Sequence, residues 1–442
     1  MNAGAAPERV VLVAVELTSR AAGRSTASRV NGGGMNSSAE SQLGELRALT
    51  VSAGGRVVGE VVQRRDAIDK TTFIGRGKAA ELKAEVATTA ADLVVFDNDL
   101  SPAQGKNLED LVGVRVLDRS ELILDIFAYR ARTRESKLQV ELAQLQYLLP
   151  RLKRMWTHLS RIRGGIGLRG PGETQLEVDR RVIRTRIATL KDKLSRIEER
   201  HGLQRKGRGA AWNVALVGYT NAGKSTIMNR LTGARLRAEN RLFATLDATT
   251  RRVELPGGEE MLLTDTVGFI RDLPHHLVAS FRATLEEVVQ ADLLLHVVDV
   301  SAPDHEEQMR IVREVLSDLG AGQSPVLHVF NKLDRVPATE RAGVRARVLA
   351  EHDHAVVASA VQPRGLVGLI ETLERLARQE QVRVRVRLPH REAGRLSLLY
   401  ELGEVISRAY TEDAIEVELR ARPEVIARLT GDGFRVQGGS AQ

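Results

Sequence analysis

Residues 218–226 read Gly-Tyr-Thr-Asn-Ala-Gly-Lys-Ser-Thr, the spacing G-x-x-x-x-G-K-[ST]. Such a stretch can hold the phosphates of a nucleotide. Its glycines let backbone N–H groups wrap phosphate oxygens, and a helix N-terminus behind them adds positive potential. Lys224 is expected to bridge β- and γ-phosphate oxygens, and Ser225 to ligate Mg2+. The run AWNVALV before the loop and STIMNRLTG after it supply the strand and helix that the motif requires.

The base is decided downstream. VLHVFNKLD ends on Asn331-Lys332-Leu333-Asp334, and Asn331 follows Lys224 by 107 positions. A carboxylate at Asp334 can accept from both N1–H and the 2-amino group of guanine. Adenine has no donor at either place and would leave the carboxylate unpaired. Lys332 can lie along the purine face. HAVVASA then supplies Ser359 and Ala360, whose backbone is expected at the guanine oxygen. The ligand class is therefore GTP and GDP.

MLLTDTVGF, 261–269, lies between these motifs. Asp265 would stand behind the Mg2+ ligands, and the Gly268 N–H would sense the γ-phosphate. In LFATLDATTRR, 242–252, one Thr should ligate Mg2+ only while the γ-phosphate is present; Thr245, Thr249 and Thr250 compete for that role. Phe269 occupies the place where many GTPases put a water-orienting Gln. An apolar ring cannot orient water, so intrinsic hydrolysis is expected to be slow until a partner or another loop completes the site. Asn221 is a candidate for holding a monovalent cation, K+, near the phosphates.

These residues need scaffolds. A chain of 442 residues implies two to four domains. With 43% hydrophobic and 3% aromatic residues, the cores should be mostly Leu, Val, Ile and Ala. The absence of cysteine excludes disulfides and thiolate metal sites. No signal peptide is expected, because the start lacks a basic region followed by an apolar run and cleavage site. ADLLLHVVDV is too short to span a bilayer. The net charge of +8 suits nucleic acid or simply a solvated surface.

Along the chain the expected domains are an N-terminal α/β subdomain over 1–130, a helical hairpin over 131–208, a nucleotide-binding domain over 209–381 and a small α+β domain over 382–442. In the first, RVVLVAVEL, RVVGEVVQR, ADLVVFDN and GVRVLDR read as strands and ESQLGELRALTVSA as a helix. The Gly- and Ser-rich segment 21–38 reads as a flexible insertion. FIGRGKAAEL, 73–82, has the wrong spacing for a phosphate loop and reads as a strand-to-helix turn, with a second nucleotide or RNA contact as the alternative. In the last domain, VRVRVRLP and AIEVELRA read as strands around a helical AGRLSLLYELGEVISRAY.

The hairpin is carried by two apolar runs at steps of three and four: Leu138, Leu142, Leu145, Leu149, Leu152, and then Leu176, Ile183, Ile187, Leu190, Leu194, Ile197, the second with one step of seven. Between them RGGIGLRGPGE, 163–173, must break the helix. From 151 to 169 stand Arg151, Lys153, Arg154, Arg161, Arg163 and Arg169, with Trp156 and His158 interleaved and no acidic residue. Such a stripe suits an RNA phosphate backbone, or else a solvated helix face with Trp156 in the hairpin core.

The chain resembles the HflX family of GTPases along nearly its whole length. The resemblance rests on SKLQVELAQLQYLLPRL, GGIGLRGPGETQLEVDRR, GYTNAGKST, LFATLD, DTVGFIRDLPHHLVASF and NKLD, of which the segment before the nucleotide domain is the most specific. It implies an α/β fold: a P-loop GTPase domain with a mixed, mostly parallel sheet, preceded by a small α/β subdomain and a long antiparallel helical hairpin, and followed by a small α+β domain. It assigns the Mg2+ ligands to Ser225 and Thr245, and it makes the apolar residue at Phe269 a family trait.

The nucleotide-contacting set is then Gly218, Tyr219, Thr220, Asn221, Ala222, Gly223, Lys224, Ser225 and Thr226. Phe243, Ala244, Thr245, Leu246 and Asp247 join it, with Asp265, Thr266, Val267 and Gly268. Asn331, Lys332, Leu333, Asp334, Ser359, Ala360 and Val361 complete it. Lys224, Thr245 and Gly268 are the residues expected to act in catalysis. Two features depart from the family pattern: the 18–38 insertion, and Ala248 where the family often has Pro.

The resemblance further implies a monomeric factor that binds the large (50S) ribosomal subunit. Its basic tip would meet 23S rRNA, and it would split stalled or stress-arrested 70S ribosomes, with a role in antibiotic tolerance in some bacteria. The implied localisation is cytoplasmic, in part membrane-associated. The competing readings are an RNA-remodelling protein, or a signalling switch, regulated by GTP.

Overall fold

The structure is a computed structural model that describes residues 6–17, 39–152, 175–206, 212–233, 241–273, 277, 282–379 and 381–440. The expected insertion 21–38, the Gly-rich tip 163–173 and Lys153, Arg154, Arg161, Arg163 and Arg169 lie outside the described residues. The chain divides into two compact units. One holds Met1–Arg196 together with Arg237–Asp247 and Ile270–Thr284. The other holds Ile197–Leu236, Ala248–Phe269 and Leu285–Gln442.

The first unit begins with β1 (Arg9–Leu17), α1 (Ala39–Ser52), β2 (Arg56–Arg65), α2 (Arg76–Thr89), β3 (Leu93–Phe96), α3 (Pro102–Val112), β4 (Arg115–Asp118) and α4 (Arg119–Arg130). Strand alternating with helix gives a parallel sheet of order β2-β1-β3-β4. Its core is aliphatic, as the composition requires, with Val11, Val13, Val94, Leu82 and Leu108 packed around Phe73 and Phe96. Local signals set the helix starts. Ser101 and Gln104 form a capping box with Pro102 in the first turn, and the Asp118 side chain accepts from the Glu121 N–H at the head of α4. The segment at 73–82 does turn into a helix: Phe73 takes a left-handed φ of 64°, and Gly75 caps α2. What precedes it is a tight turn closed by an Asp69–Phe73 bridge, not a strand.

Helices α5 (Arg134–Leu148) and α6 (Gln175–Lys206) carry the two periodic runs. They pack side by side through Leu142, Leu190 and Leu194, flanked by Leu138, Leu145 and Ile187. Arg186 and Glu141 form an ion pair across them at 2.7 Å.

The second unit continues with β5 (Trp212–Gly218), α7 (Lys224–Thr232), β6 (Thr249–Glu254), β7 (Glu260–Asp265), α8 (Arg282–Val289), β8 (Leu293–Asp299), α9 (His305–Asp318), β9 (Val326–Asn331), α10 (Arg341–Glu351), β10 (Ala355–Val357) and α11 (Val367–Gln379). The sheet order is β10-β9-β8-β5-β7-β6, parallel throughout except that β6 runs antiparallel to β7. β5 is central and buried, so its end delivers the Gly218 loop from a rigid base.

The chain ends with β11 (Val382–Pro389), α12 (Leu396–Leu402), β12 (Glu404–Tyr410), β13 (Ala414–Ala421), α13 (Pro423–Gly431) and β14 (Arg435–Ser440). This β-α-β-β-α-β order, in an antiparallel sheet β12-β13-β11-β14, is the ferredoxin-like arrangement. Here one sequence expectation is corrected: EVISRAY is strand β12, not the second half of a helix. Gly403 is extended and ends α12, and a Cβ there would lie 2.8 Å from the Arg420 carbonyl oxygen. Val405, Ile406 and Tyr410 then favour strand over helix. Among the described residues, no helix is long and apolar enough to cross a membrane.

Candidate active site

The second unit brings the phosphate loop, the Asp265–Gly268 turn, the Asn331–Asp334 motif and Ser359–Val361 onto the C-terminal ends of neighbouring strands, where α/β sheets open their crevices. Gly218 and Gly223 take φ of 146° and 105°. A Cβ on Gly218 would meet the Val297 carbonyl oxygen at 2.3 Å, so the loop could not turn there with any other residue. Asn221 also takes a left-handed φ, of 61°, and is exposed.

Lys224 is buried at the start of α7, and its Nζ donates to the carbonyls of Gly218 and Tyr219 at 3.0 and 2.9 Å. Burial pulls its pKa down to about 8, while Asp265 opposes that shift by favouring the charge. A buried ammonium whose hydrogen bonds, among the described residues, go to loop carbonyls fits an anionic group such as phosphate. The Ser225 hydroxyl donates to the Asp265 Oδ2 at 2.6 Å. Hydroxyl and carboxylate oxygens together are the hard donors that Mg2+ takes.

Thr266 is buried and bonds the Leu216 carbonyl at 2.6 Å, which fixes the turn that follows β7. A Cβ on Gly268 would lie 2.9 Å from the Lys224 Nζ, so its backbone passes close beside the lysine. Phe269 is buried rather than facing the site. Its backbone pairs with the phosphate loop instead: its N–H donates to Gly218 (3.1 Å), and its carbonyl accepts from Thr220 (2.7 Å).

At the base end, Asn331 is 2% exposed and ties two loops together. Its Nδ2 donates to the Ala222 carbonyl at 2.9 Å, and its Oδ1 accepts from the Ala360 N–H at 3.0 Å. That amide was expected to face the guanine oxygen; here it is held by Asn331. The Ser359 hydroxyl donates to the Asp334 Oδ1 at 2.5 Å and orients the carboxylate. Lys332, at a left-handed φ of 66°, pairs with Asp299 at 2.8 Å. Asp299 was not singled out from sequence; its place at the end of β8, beside the end of β9, was the available signal. Leu333 packs under the motif, and Val361 is exposed.

Phe243, Ala244, Thr245, Leu246 and Asp247 belong to the first unit. Phe243 meets Phe127 edge-on, with centroids 4.7 Å apart. The Leu242 N–H donates to the Ser52 hydroxyl at 3.0 Å. Asp247 accepts from the Thr133 hydroxyl (2.6 Å) and the Arg132 N–H (3.2 Å) at the head of α5. Of the competing threonines, Thr249 and Thr250 lie in β6, and Thr250 shares a hydrogen bond with Thr264 at 2.9 Å.

Beyond Phe269 the chain re-enters the first unit, and Arg271 joins a buried ion network. Arg119 pairs with Asp97 and Glu45, each at 2.7 Å, and donates to the Arg271 carbonyl at 3.1 Å. Arg271 reaches Glu45 at 3.2 Å. These four residues are far apart in sequence, and no local pattern marks them.

Arg151 is withdrawn from the expected RNA-contacting set. Its guanidinium pairs with Asp118 at 3.0 Å, donates to the carbonyls of Leu100 and Tyr147 and covers the Tyr147 ring at 3.5 Å.

A G-x-x-x-x-G-K-S loop between β5 and α7, with N-K-x-D at the end of β9, defines a P-loop GTPase. Family models match in chain order: GTP-binding GTPase N-terminal on residues 40–128, GTP-binding GTPase Middle Region on 130–208 and 50S ribosome-binding GTPase on 213–332. The chain is 48% identical over 392 residues to the GTPase HflX of Caldanaerobacter subterraneus subsp. tengcongensis, covering 88% of this chain and 90% of that protein. It is 45% identical over 386 residues to the GTPase HflX of Escherichia coli K12, covering 87% and 90%. A solved GTP-binding protein from Sulfolobus solfataricus, in complex with GDP, matches 84% of this chain and 99% of its own at 23% identity, with a TM-score of 0.43. The chain belongs to the HflX family of GTPases, enzymes that bind and hydrolyse GTP.

Proposed function

We propose that this GTPase binds the 50S ribosomal subunit in its GTP form and splits stalled or stress-arrested 70S ribosomes, with hydrolysis resetting it for release. The observation that carries the reading is the chain's division. Arg237–Asp247 and Ile270–Thr284, the stretches on either side of the γ-phosphate-sensing turn, are parts of the unit that holds the N-terminal sheet, α5 and α6 as far as Arg196. The first of these stretches bears Thr245, the proposed Mg2+ ligand that depends on the γ-phosphate.

On this reading Ser225 and Thr245 hold Mg2+, Lys224 and the Gly268 N–H meet the γ-phosphate, and Asp334 with Asn331 selects guanine. K+ sits near Asn221. Lys153, Arg154, Arg161, Arg163 and Arg169 meet 23S rRNA. The functional domains are those bounded at 130, 208 and 381. Binding of GTP, more than the chemical step, supplies the work of separation.

Cosedimentation of the full chain with 50S subunits tests this. It should pellet with GTP or a non-hydrolysable analogue and remain free with GDP. R161E/R163E should abolish pelleting and leave GTP affinity unchanged. Equal pelleting in both nucleotide states would overturn the reading.

A further inference from the structure

In the C-terminal ferredoxin-like domain, both helices cover one face of the sheet. Val384, Val386 and Leu388 of β11 and Val417 and Leu419 of β13 pack there with Leu399, Val425 and Leu429. Strand alternation puts Arg383, Arg385 and Arg387 on the opposite face, and β14 adds Arg435 beside Arg387. Among the described residues, none of these four arginines has a hydrogen-bond or ion-pair partner, though Glu418 and Glu416 stand opposite Arg385 and Arg387 on β13. Arg387 and Arg435 are direct cross-strand partners, an arrangement that costs stability by like-charge repulsion.

We propose that this strip, β11 with β14, binds the phosphodiester backbone of RNA. Residues two apart on a strand are about 6.8 Å apart. The row Arg383-Arg385-Arg387 therefore repeats at a distance comparable to that between successive phosphates of an extended RNA strand. A linear polyanion relieves the Arg387–Arg435 repulsion and can pair with every arginine in the row, bidentately at each phosphate. A bilayer is disfavoured: β11 and β13 present no large aliphatic or aromatic side chain on this face, and Glu416 and Glu418 on β13 would repel anionic headgroups. Those same glutamates confine contact to the β11–β14 half. RNA-recognition modules stack bases on aromatic residues of such a face. Here β11 and β13 present none, so the strip reads backbone and not sequence. The proposal stands apart from the ribosome reading, because it concerns RNA as a polyanion.

The test is binding of a labelled uridine oligonucleotide to the full chain, from about 50 to about 200 mM KCl. R385Q/R387Q/R435Q should weaken binding at least tenfold and lower the slope of log affinity against log salt by about two, since each lost single-strand phosphate contact removes about 0.7. R387Q alone should lose a single contact's share and melt no lower than wild type, which guards against misfolding. Unchanged affinity and slope in the triple variant overturns the proposal, including the case in which the strip serves an acidic protein. If 50S binding fails while the slope still falls, the ribosome reading is lost and this one stands.

Discussion

The Asn331 side-chain amide occupies the space that any side chain on Gly223 would need. Its Nδ2 lies 2.2 Å from where a Cβ on Gly223 would stand, and it donates to Ala222 next door. The base-selecting motif and the phosphate loop are thus locked in one register, and Gly223 has a left-handed φ as well.

G223A should therefore lose affinity for GTP and GDP together, by about 100-fold or more, because backbone strain and the clash with Asn331 act at once. Equilibrium binding of a fluorescent guanine nucleotide measures it. Affinity within threefold of wild type would show that the register is not needed.

Phe269 sits where a water-orienting Gln would be expected, yet its ring is in the core and its backbone closes onto the phosphate loop. Restoring the polar residue should not restore the function. F269Q is expected to cost about 3 kcal/mol of stability, from lost packing and a buried amide, and to leave intrinsic hydrolysis no faster. A faster intrinsic rate in a folded F269Q protein would place the side chain in the site after all.

Asp247 clasps the head of α5 through Thr133 and Arg132. D247A should destabilise the protein by about 1 to 2 kcal/mol. It should leave GDP affinity within threefold and reduce ribosome-stimulated hydrolysis, since the segment bearing Thr245 is no longer held on the first unit. Steady-state kinetics with 50S subunits separates these. An unchanged stimulated rate would mean that the clasp is structural only.

A pH dependence comes from His296 and His328, cross-strand partners on β8 and β9 with ring centroids 5.1 Å apart. Burial first, and neighbouring positive charge second, push His296 down to about 3 and His328 down to about 4. Both are neutral when folded, and both protonate near 6.5 when unfolded. Below that pH the unfolded chain binds more protons, so stability is lost as pH falls from about 6.5 towards 4, at up to about 1.4 kcal/mol per unit for each histidine. Urea midpoints at pH 7 and pH 5 should differ more for wild type than for H328N. Equal differences would remove His328 from the account.

The motifs of the candidate nucleotide site are short spacings, G-x-x-x-x-G-K-S and N-K-L-D, attached to apolar strands, and the structure sets both at strand ends. The capping box at Ser101 and Gln104 is as local in sequence, but it was not singled out there. Partnerships between distant residues were not legible in sequence. The pair Lys332–Asp299 and the network of Glu45, Asp97, Arg119 and Arg271 exist only once strand order is known. Arg151 looked like part of a basic run, but its partner Asp118 is 33 residues away. EVISRAY fitted a helical period because its residues are mixed; the extended Gly403 and the pairing with β13 decided otherwise.

The most direct test is GTP hydrolysis by the full chain alone, with 50S subunits and with 30S subunits. The account predicts a slow intrinsic rate, strong stimulation by 50S and none by 30S. Fast hydrolysis by the chain alone, unaffected by either subunit, would contradict it.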